Sequence, residues 1–474
     1  MKRHIQIFAA VLAMMSAAGC SGMLDDIAPR HAISSDKLSD SDLNQLTNGM
    51  LNMMESYTRD LWFTGDYLGE NFKGGPGAVP RTDWSSDLAQ STSALAETEW
   101  NASFTKLLYA NELIAAAQKS ANQGSETVTD AYGTGYFCRA FIYLNLAERY
   151  GNVPIIKGTT NDVIAISPES DVWQFVLDNC TDAIANLRSY YDRYYPSKEA
   201  AYLLYAKANL WIAAIADRSG GSYLGKQASD YRSVAADYAG RVIGNTGFSM
   251  SSTSEDFAGM FINGTQNPEI VFALANNRPT AFIRLFEQIN DTDGSFNYSP
   301  ADDMYSGLFG DDGYRTGDIR KNPTFSSTDA SRTIKLPNGR DGQFITNPDA
   351  QTSPMMVFRL ADAYLLKAEA EGAATGLATM EEFMEKRYAS VSLPASMTDE
   401  EFRTLLLDEN NREFYAEGRR WFDIKRLYLS DVSTAKPFKG GFNDWAEEHS
   451  FLWPVPQNQI DIAGETAYPQ NPEY

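Results

Sequence analysis

Apolar residues recur at three- and four-residue spacing along much of the chain, and this period predicts amphipathic helices. Helices are predicted at 39–57, 97–119, 136–150, 172–187, 199–216, 231–243 and 358–372. Gly151 stands where the third helix should stop, and Pro154 prevents its continuation. Small alanines alternate with large rings in several of these stretches, which favours closely packed helix pairs of the tetratricopeptide-like kind. No strict repeat of 34 residues is visible, so any such repeats are degenerate.

Other parts of the chain lack this helical period. Gly, Asn, Asp, Ser, Thr and Pro are frequent between 245 and 354, and a loop of that length in a compact domain usually has a function. A shorter polar segment spans 71–80, and the last 25 residues are predicted to be extended and proline-rich. Thr379 with Glu382 and Thr398 with Glu401 have the spacing of a capping box, so each pair is expected to open a helix.

The chain begins with the pattern of a targeting segment. Lys2 and Arg3 precede an apolar run at 5–15 that is too short to span a bilayer comfortably. Small residues at 16–19 then lead directly to Cys20, which resembles the lipobox of bacterial lipoproteins. We therefore predict a signal peptide at 1–19 and a tether at 20–38 that carries palmitate-type acyl chains on Cys20. The alternative is an ordinary signal peptide that happens to end near a cysteine. Acidic residues at 25–26 also resemble surface-export signals of Bacteroidetes lipoproteins.

Composition excludes several classes of function. The chain has 474 residues, of which 43% are hydrophobic, so a sizeable core is available for about three domains or one large helical array. Its 40 Lys and Arg against 62 Asp and Glu give a net charge of -22, which argues against nucleic acid and against docking on anionic lipid. After Cys20, only Cys138 and Cys180 remain, and both lie in helix-periodic stretches. Free buried thiols are favoured there, and a disulfide between neighbouring helices is the alternative.

Little in the sequence favours catalysis or a metal. No H-E-x-x-H, G-x-S-x-G or P-loop motif occurs, and the three histidines are scattered near residues 4, 31 and 449. Carboxylate pairs must occur by chance among 62 acids. Asp311, Asp312 and Asp318 offer oxygen ligands, but their spacing lacks the order of an EF-hand. We predict a protein that is not an enzyme and has no cofactor or metal.

A dense run of charges at 409–426 favours a structural role. Glu417 and Arg420 are three residues apart, and Arg419 and Asp423 are four apart, so each pair would meet on one helical face. The interpretation is an ion-paired helix that fixes the C-terminal half to the scaffold. Gly418 within it costs about 1 kcal/mol relative to alanine, and close approach of another backbone would compensate.

Two regions have the composition of a sugar-binding surface. Sugar rings present apolar C–H faces and hydroxyl groups, so such a surface needs exposed aromatic rings with amides or charges nearby. The first region offers Trp62, Tyr67, Asn71, Arg81 and Trp84, and the second offers Phe296, Asn297, Tyr298 and Tyr305. The alternative for any one ring is a structural role, in which it packs a loop onto the scaffold.

Five stretches, in order along the chain, resemble the SusD/RagB family of outer-membrane nutrient-binding lipoproteins. The most specific is NREFYAEGRRWFDIKR at 411–426, which follows RLADAYLLKAEA at 359–370. The others are the Cys20 anchor with 24–26, the segment 138–154 with its YGNVP ending, and WPVPQ at 453–457 with QNPEY at 470–474. Glu473 is a minor departure, since glycine is commoner there in the family. The likeness spans nearly the whole chain.

The resemblance implies an all-α, SusD-like superfold with four tetratricopeptide-like hairpins and long loop insertions. Residues 39–474 would form one domain, with a helical scaffold at about 39–244, a ligand region at about 245–354 and a C-terminal part at about 355–474. It also implies a lipid-anchored position on the outer membrane, facing the cell exterior, and a TonB-dependent SusC-like transporter as partner. The ligand would be a glycan that is bound and not cleaved. A peptide-binding member of the family, a helical protein-interaction adaptor and a helical lyase or hydrolase are the alternatives.

Overall fold

The structure is a computed structural model, and it describes residues 38–74, 88, 90–160, 162–262, 266–275, 298–302, 304–326, 333–336, 353–429, 452–472 and 474. His4, Cys20, His31 and His449 lie outside these ranges.

Long helices form the N-terminal part, and each contacts its neighbours along the chain. Serines 39, 93, 125 and 197 accept a backbone hydrogen bond at the first turn of four of these helices, as N-cap residues do. The helices are α1 (Asp40–Leu68), α2 (Ala94–Gln118), α3 (Glu126–Tyr150), α4 (Glu169–Asn186), α5 (Lys198–Arg218) and α6 (Ala228–Ile243).

Shorter helices dominate the second half, apart from two long ones that pack against each other; the first of these two also packs against α6. They are α7 (Ser254–Gly259), a π-helix (Met304–Leu308), α8 (Lys321–Thr324), α9 (Leu360–Met384), α10 (Asp399–Phe414), α11 (Arg420–Leu427) and α12 (Gln457–Ala463). Thr398 and Glu401 form the predicted capping box at the start of α10.

The strands are short and pair only in twos, always antiparallel, so they join helices and loops without forming an extended sheet. The pairs are β1 (Phe72–Gly74) with β7 (Tyr298–Pro300), β2 (Val153–Pro154) with β3 (Ile166–Ser167), β4 (Ser222–Tyr223) with β5 (Lys226–Gln227), β6 (Ile270–Leu274) with β9 (Met355–Arg359), and β8 (Arg315–Asp318) with β10 (Tyr388–Val391). The predicted all-α fold class is confirmed.

Two helices are longer than their sequence pattern predicts, because glycines inside them look like breaks. Helix α1 continues eleven residues past 57, through Gly65, and α3 begins at Glu126, well before 136. A Cβ at Gly133 would lie 2.6 Å from the Leu187 side chain, so this glycine permits a close helix contact. The apolar period fades where a glycine takes a buried position, although the backbone stays helical.

Three other predicted elements are wrong at their ends. The segment 358–359 belongs to strand β9, and the helix α9 starts only at Leu360. Thr379 does not open a helix, because it lies inside α9 and its hydroxyl donates to Glu371 Oε2 at 2.6 Å. The break within α9 falls earlier, at Gly372, whose φ is 65°. The C-terminal residues are not wholly extended, since they include α12.

Both cysteines in the described part of the chain are free and buried, as the sequence favoured. Burial raises the pKa of each thiol, so both stay protonated and unreactive at neutral pH. No helix within the described ranges is long and apolar enough to cross a membrane.

The C-terminal tail closes the core around the end of α3. The Trp453 N–H donates to the Arg149 carbonyl at 2.8 Å, and Asn471 Nδ2 donates to the Tyr150 carbonyl at 2.9 Å. The Tyr150 ring lies edge-on between Trp453, at 5.8 Å, and Trp100 of α2, at 5.0 Å. The tail thus covers rings that the α2–α3 contact leaves open.

Candidate ligand-binding site

The charged run at 409–426 is not one helix, so its predicted internal ion pairs are wrong. Helix α10 ends at Phe414, a turn follows, and α11 begins at Arg420. Glu417 pairs with Lys335 and Arg359, each at 2.7 Å, while Arg419 pairs with Asp362. The turn directs these side chains toward other segments instead of toward one another.

Two other charges of this run, Glu409 and Glu413, belong to a buried ion-pair network whose other members are Glu269, Arg315, Arg320, Arg359 and Arg387. Glu409 accepts from Arg315 at 2.7 Å and from Arg320 at 3.0 Å, and Glu413 accepts from Arg320 at 3.0 Å and from Arg387 at 2.8 Å. All seven side chains are buried. Burial alone would raise the pKa of Glu409, but the neighbouring guanidinium groups lower it to about 2. The network joins five separate chain segments, which supports a structural role.

Gly418 meets the backbone of α1, as its position in the sequence suggested. A Cβ on Gly65 would overlap the carbonyl oxygen of Gly418, and the Gly418 N–H donates to Asp66 Oδ2 at 2.5 Å. Gly418 itself has a φ of 79°, which favours glycine. The α10–α11 turn and α1 therefore contact each other through main chain.

Strands β1 and β7 bring the two predicted ligand regions together. Their register pairs Phe72 with Pro300 and Gly74 with Tyr298, although these residues are more than 200 positions apart. An ion pair between Lys73 and Asp302 lies beside the strands. We call the solvent side of this pairing, with the adjacent π-helix, the β1–β7 surface.

The first predicted region contributes less to this surface than expected. Tyr67 and Asn71 are 8% and 1% exposed, which contradicts the expectation that they offer ligand contacts at the surface. The reason is that α1 continues through Tyr67 to Leu68, and that the Asn71 amide, just beyond the helix, donates inward to Asp66 at 2.5 Å and to Asn411 at 2.8 Å. Trp62 lies on α1, so it is a helix residue and not part of a loop; only its backbone is described.

The remaining predicted residues divide into those the structure describes and those it does not. Arg81, Trp84, Phe296 and Asn297 lie outside the described residues, and Tyr298 is described only as backbone in β7. Tyr305 is on the π-helix and is 37% exposed. Among the predicted aromatic contacts whose side chains the structure describes, Tyr305 is the one that lies at the surface.

The Tyr305 ring packs against a cluster of buried aromatic rings. Its ring lies edge-on at 5.7 Å from Phe325, which contacts Phe309 at 5.2 Å and Tyr415 at 5.3 Å. Phe72 of β1 completes the cluster, 5.3 Å from Tyr415. Because these rings are buried and in mutual contact, they fix the exposed ring in one orientation.

One charged group lies over this ring, and an ion pair lies beside the strands of the same surface. The Lys321 ammonium lies 4.2 Å from the Tyr305 ring centroid, and the Lys73–Asp302 ion pair is largely exposed. A ring with nearby hydrogen-bonding groups can bind the C–H face and the hydroxyls of a sugar at once.

The acidic loop that offered oxygen ligands makes protein contacts instead. Asp311 accepts from the Gly317 N–H at 2.9 Å, and Asp312 accepts from the Tyr314 N–H at 2.8 Å. Asp318 binds Arg320 of the buried ion-pair network at 2.8 Å. Within the described ranges, no group of three or more acidic, His or Cys side chains is arranged to hold a metal. Tyr314, which the sequence analysis missed, is 41% exposed beside this loop.

The described residues form a helical scaffold with an exposed aromatic ring and a buried ion-pair network, and comparison with known proteins identifies the family of this scaffold. The SusD family model matches residues 289–474, and a family described as starch-binding and associating with outer membrane matches residues 25–210. The starch-binding protein SusD of Bacteroides thetaiotaomicron is 31% identical over 163 residues, which are 33% of this chain and 28% of that protein. The aligned stretch thus spans less than a third of that relative.

Solved structures share the fold over almost the whole chain. A SusD superfamily protein from Bacteroides thetaiotaomicron superposes with a TM-score of 0.72 at 18% identity, and covers 92% of this chain and 100% of its own. NanU of Bacteroides fragilis gives 0.67 at 18% identity, with 91% and 96% covered. A structure with bound xylogluco-oligosaccharide gives 0.69 at 17% identity, with 90% and 98% covered. These structures show the fold; the two family models, which together match residues 25–210 and 289–474, show that the chain belongs to the SusD/RagB family.

Proposed function

We propose that this protein binds glycans at the β1–β7 surface and delivers them to a TonB-dependent SusC-like transporter in the outer membrane. The observation that carries the proposal is the exposed Tyr305 ring, held on a buried aromatic cluster where the two predicted ligand regions meet. Trp62 and Trp84 remain proposed contacts of the same surface. Reversible binding is sufficient for this role, because the transporter would supply the energy of uptake.

Two similarities support a glycan as the ligand class. The relative aligned over part of this chain is named as starch-binding, and one protein of the same fold holds a xylogluco-oligosaccharide. A net charge of -22 favours neutral glycans at an open surface, since an acidic polymer would be repelled. The lipobox-like residues ending at Cys20 support a lipid-anchored position on the cell surface.

The test is calorimetric titration of the full chain with a panel of soluble neutral polysaccharides. We expect saturable binding of one of them without shortening of the polymer, and Tyr305→Ala should weaken it about ten-fold because a stacking platform is lost. Tyr109→Ala is the matched control, since that tyrosine is 42% exposed on α2 and makes no part of the β1–β7 surface.

Two results would contradict the proposal. If Tyr305→Ala and Tyr109→Ala reduce binding equally, the Tyr305 ring is not part of the binding site. Binding of peptides but of no polysaccharide would replace the ligand class. Melting temperatures of both variants should equal that of the parent chain, since both rings are at the surface.

A further inference from the structure

A polar cleft in the N-terminal scaffold is separate from the β1–β7 surface and shares no residue with it. Its volume is about 280 Å³, and it lies between α2, α3 and the segment 157–159. Its polar lining includes Asn111, Glu112, Gln118, Tyr136, Arg139 and Lys157. Small-molecule sites begin at about 300 Å³, so this cleft has room for one small ring and not for a polymer.

Arg139 in this cleft is buried without a carboxylate partner. It is only 7% exposed, yet its Nε donates to Asn179 Oδ1 at 2.6 Å and its Nη1 to Asn111 Oδ1 at 3.1 Å, and both acceptors are neutral amides. No acidic oxygen within the described ranges forms an ion pair with it. By contrast, four arginines that are almost completely buried in the described ranges all pair with glutamates: Arg149, Arg320, Arg359 and Arg387.

The third nitrogen of this guanidinium is available. Nη2 has no hydrogen-bond partner in the described part of the chain, and it is not among the enclosed atoms that lack one, so it keeps contact with solvent. Burying a cation without an ion-pair partner is costly, and burial lowers the pKa of Arg139; the nearby Asp182 carboxylate, which forms no ion pair with it, opposes that shift only in part. An anion in the cleft would offset that cost.

A second cation lies at the same place. Lys157 Nζ is 5.3 Å from the centroid of Phe175, and Arg139 Cζ is 5.1 Å from the same ring. Of the described residues that line the cleft, Glu112 is the one acid. The lining therefore carries a net positive charge in a chain whose total is strongly negative, which marks this cleft as a local exception.

We propose that this cleft binds the carboxylate of an acidic monosaccharide, with Arg139 Nη2 and Lys157 as the cationic partners. A planar guanidinium matches the geometry of a carboxylate, and the Tyr136 hydroxyl and Gln118 amide supply groups for the sugar hydroxyls. This cleft would bind a single charged sugar unit, whereas the β1–β7 surface would bind a neutral polysaccharide. The inference does not rest on glycan binding at that surface.

The test titrates the full chain at low ionic strength with sodium glucuronate, glucose and inorganic phosphate in separate calorimetric runs. We expect saturable binding of glucuronate, no binding of glucose, and phosphate binding at least ten-fold weaker. Arg139→Gln should abolish the glucuronate signal. Because that residue is buried, Lys157→Ala provides the second variant; its side chain is exposed, and it should weaken glucuronate binding about five-fold with an unchanged melting temperature.

Lys386→Ala is the matched control, since Lys386 is an exposed lysine at the end of α9, in the C-terminal half. Equal effects of Lys157→Ala and Lys386→Ala would overturn the proposal, and so would equal affinity for glucuronate and glucose. Phosphate binding as tight as glucuronate binding would show a general anion site and would also overturn the proposal. Tyr305→Ala should leave glucuronate binding unchanged, so failure here is distinguishable from failure at the β1–β7 surface.

Discussion

At the scale of single residues, the most consequential group is Glu409 at the centre of the buried ion-pair network. Its carboxylate lies among Arg315, Arg320 and Arg412, at 2.7, 3.0 and 3.1 Å. Taking these charges out of water is costly, and only their mutual attraction and hydrogen bonds repay it. Loss of one carboxylate leaves several cations buried together, so the network is sensitive to a change of a single atom.

Glu409→Gln should therefore lower the free energy of unfolding by about 3–5 kcal/mol, the cost of leaving buried charges without their partner. Urea unfolding at pH 7 measures this difference. Glu400→Gln is the control on the same helix, because that side chain is 60% exposed and its pair with Arg403 is long, at 3.6 Å. The control should change the free energy of unfolding by less than about 1 kcal/mol. Equal effects would contradict a structural role for the network.

The same residue predicts a dependence on acid. The folded-state pKa of Glu409 is about 2, below its ordinary value of 4.5, so its charge stabilises the fold above pH 4.5. That stability should be lost as the pH falls from 4.5 toward 2. Unfolding midpoints measured across this range should fall more steeply for the parent than for Glu409→Gln. Parallel curves for the two proteins would exclude Glu409 as the cause.

At the scale of elements, the contact between α1 and the α10–α11 turn depends on two glycines. Gly65→Ala should lower the melting temperature, with an overpacking cost of about 1–3 kcal/mol, because its Cβ would overlap the Gly418 carbonyl. Gly49→Ala on the same helix has no atom within 4 Å of the new Cβ and should be neutral or stabilising by up to about 1 kcal/mol. A thermal melt of both variants checks this contrast, and a stabilising Gly65→Ala would contradict it.

Sequence pattern predicts the helices well and their ends poorly, for a physical reason visible in particular elements. The bodies of α2, α4, α5 and α6 follow the apolar period within a few residues. The start of α3 does not, because Gly133 stands where close packing against Leu187 leaves no space for a side chain. The pattern also predicts a helix for 358–359, the last two residues of strand β9, for a related reason, since buried strand residues show no alternation of polar and apolar positions.

The residues of the candidate site were also predicted only in part. A ring in polar sequence predicts exposure, and this is correct for Tyr305, whereas Tyr67 and Asn71 are buried because α1 runs on past the point where its pattern seems to end. The partners of the charges at 409–426 could not be predicted either. Their spacing implies contacts along one helix, but Glu413 of α10 pairs with Arg320, and Glu417 in the turn that follows pairs with Lys335 and Arg359. Tertiary contacts, which no local pattern encodes, decide both cases.

At the scale of the whole molecule, the proposed position of the protein depends on Cys20. Cys20→Ala should move the protein from the membrane fraction to the soluble fraction and abolish labelling by radioactive fatty acid, because acyl chains provide the anchor. Cys138→Ala is the control, since that thiol is free and buried in α3. Fractionation of cells expressing each variant measures the effect. Continued labelling of Cys20→Ala would contradict the lipoprotein interpretation.

The closure of the core by the C-terminal tail also has a consequence for the order of folding. The hydrogen bond from Asn471 to Tyr150 joins residues 321 positions apart, and the Trp453 ring covers Tyr150 from nearly as far along the chain. Contacts between such distant residues are slow to form, because a long loop must be closed before any contact repays its entropy. Helices α2 and α3 are synthesised early, yet their aromatic face is covered last. The core at this face is therefore completed only after the tail has been synthesised, long after α2 and α3.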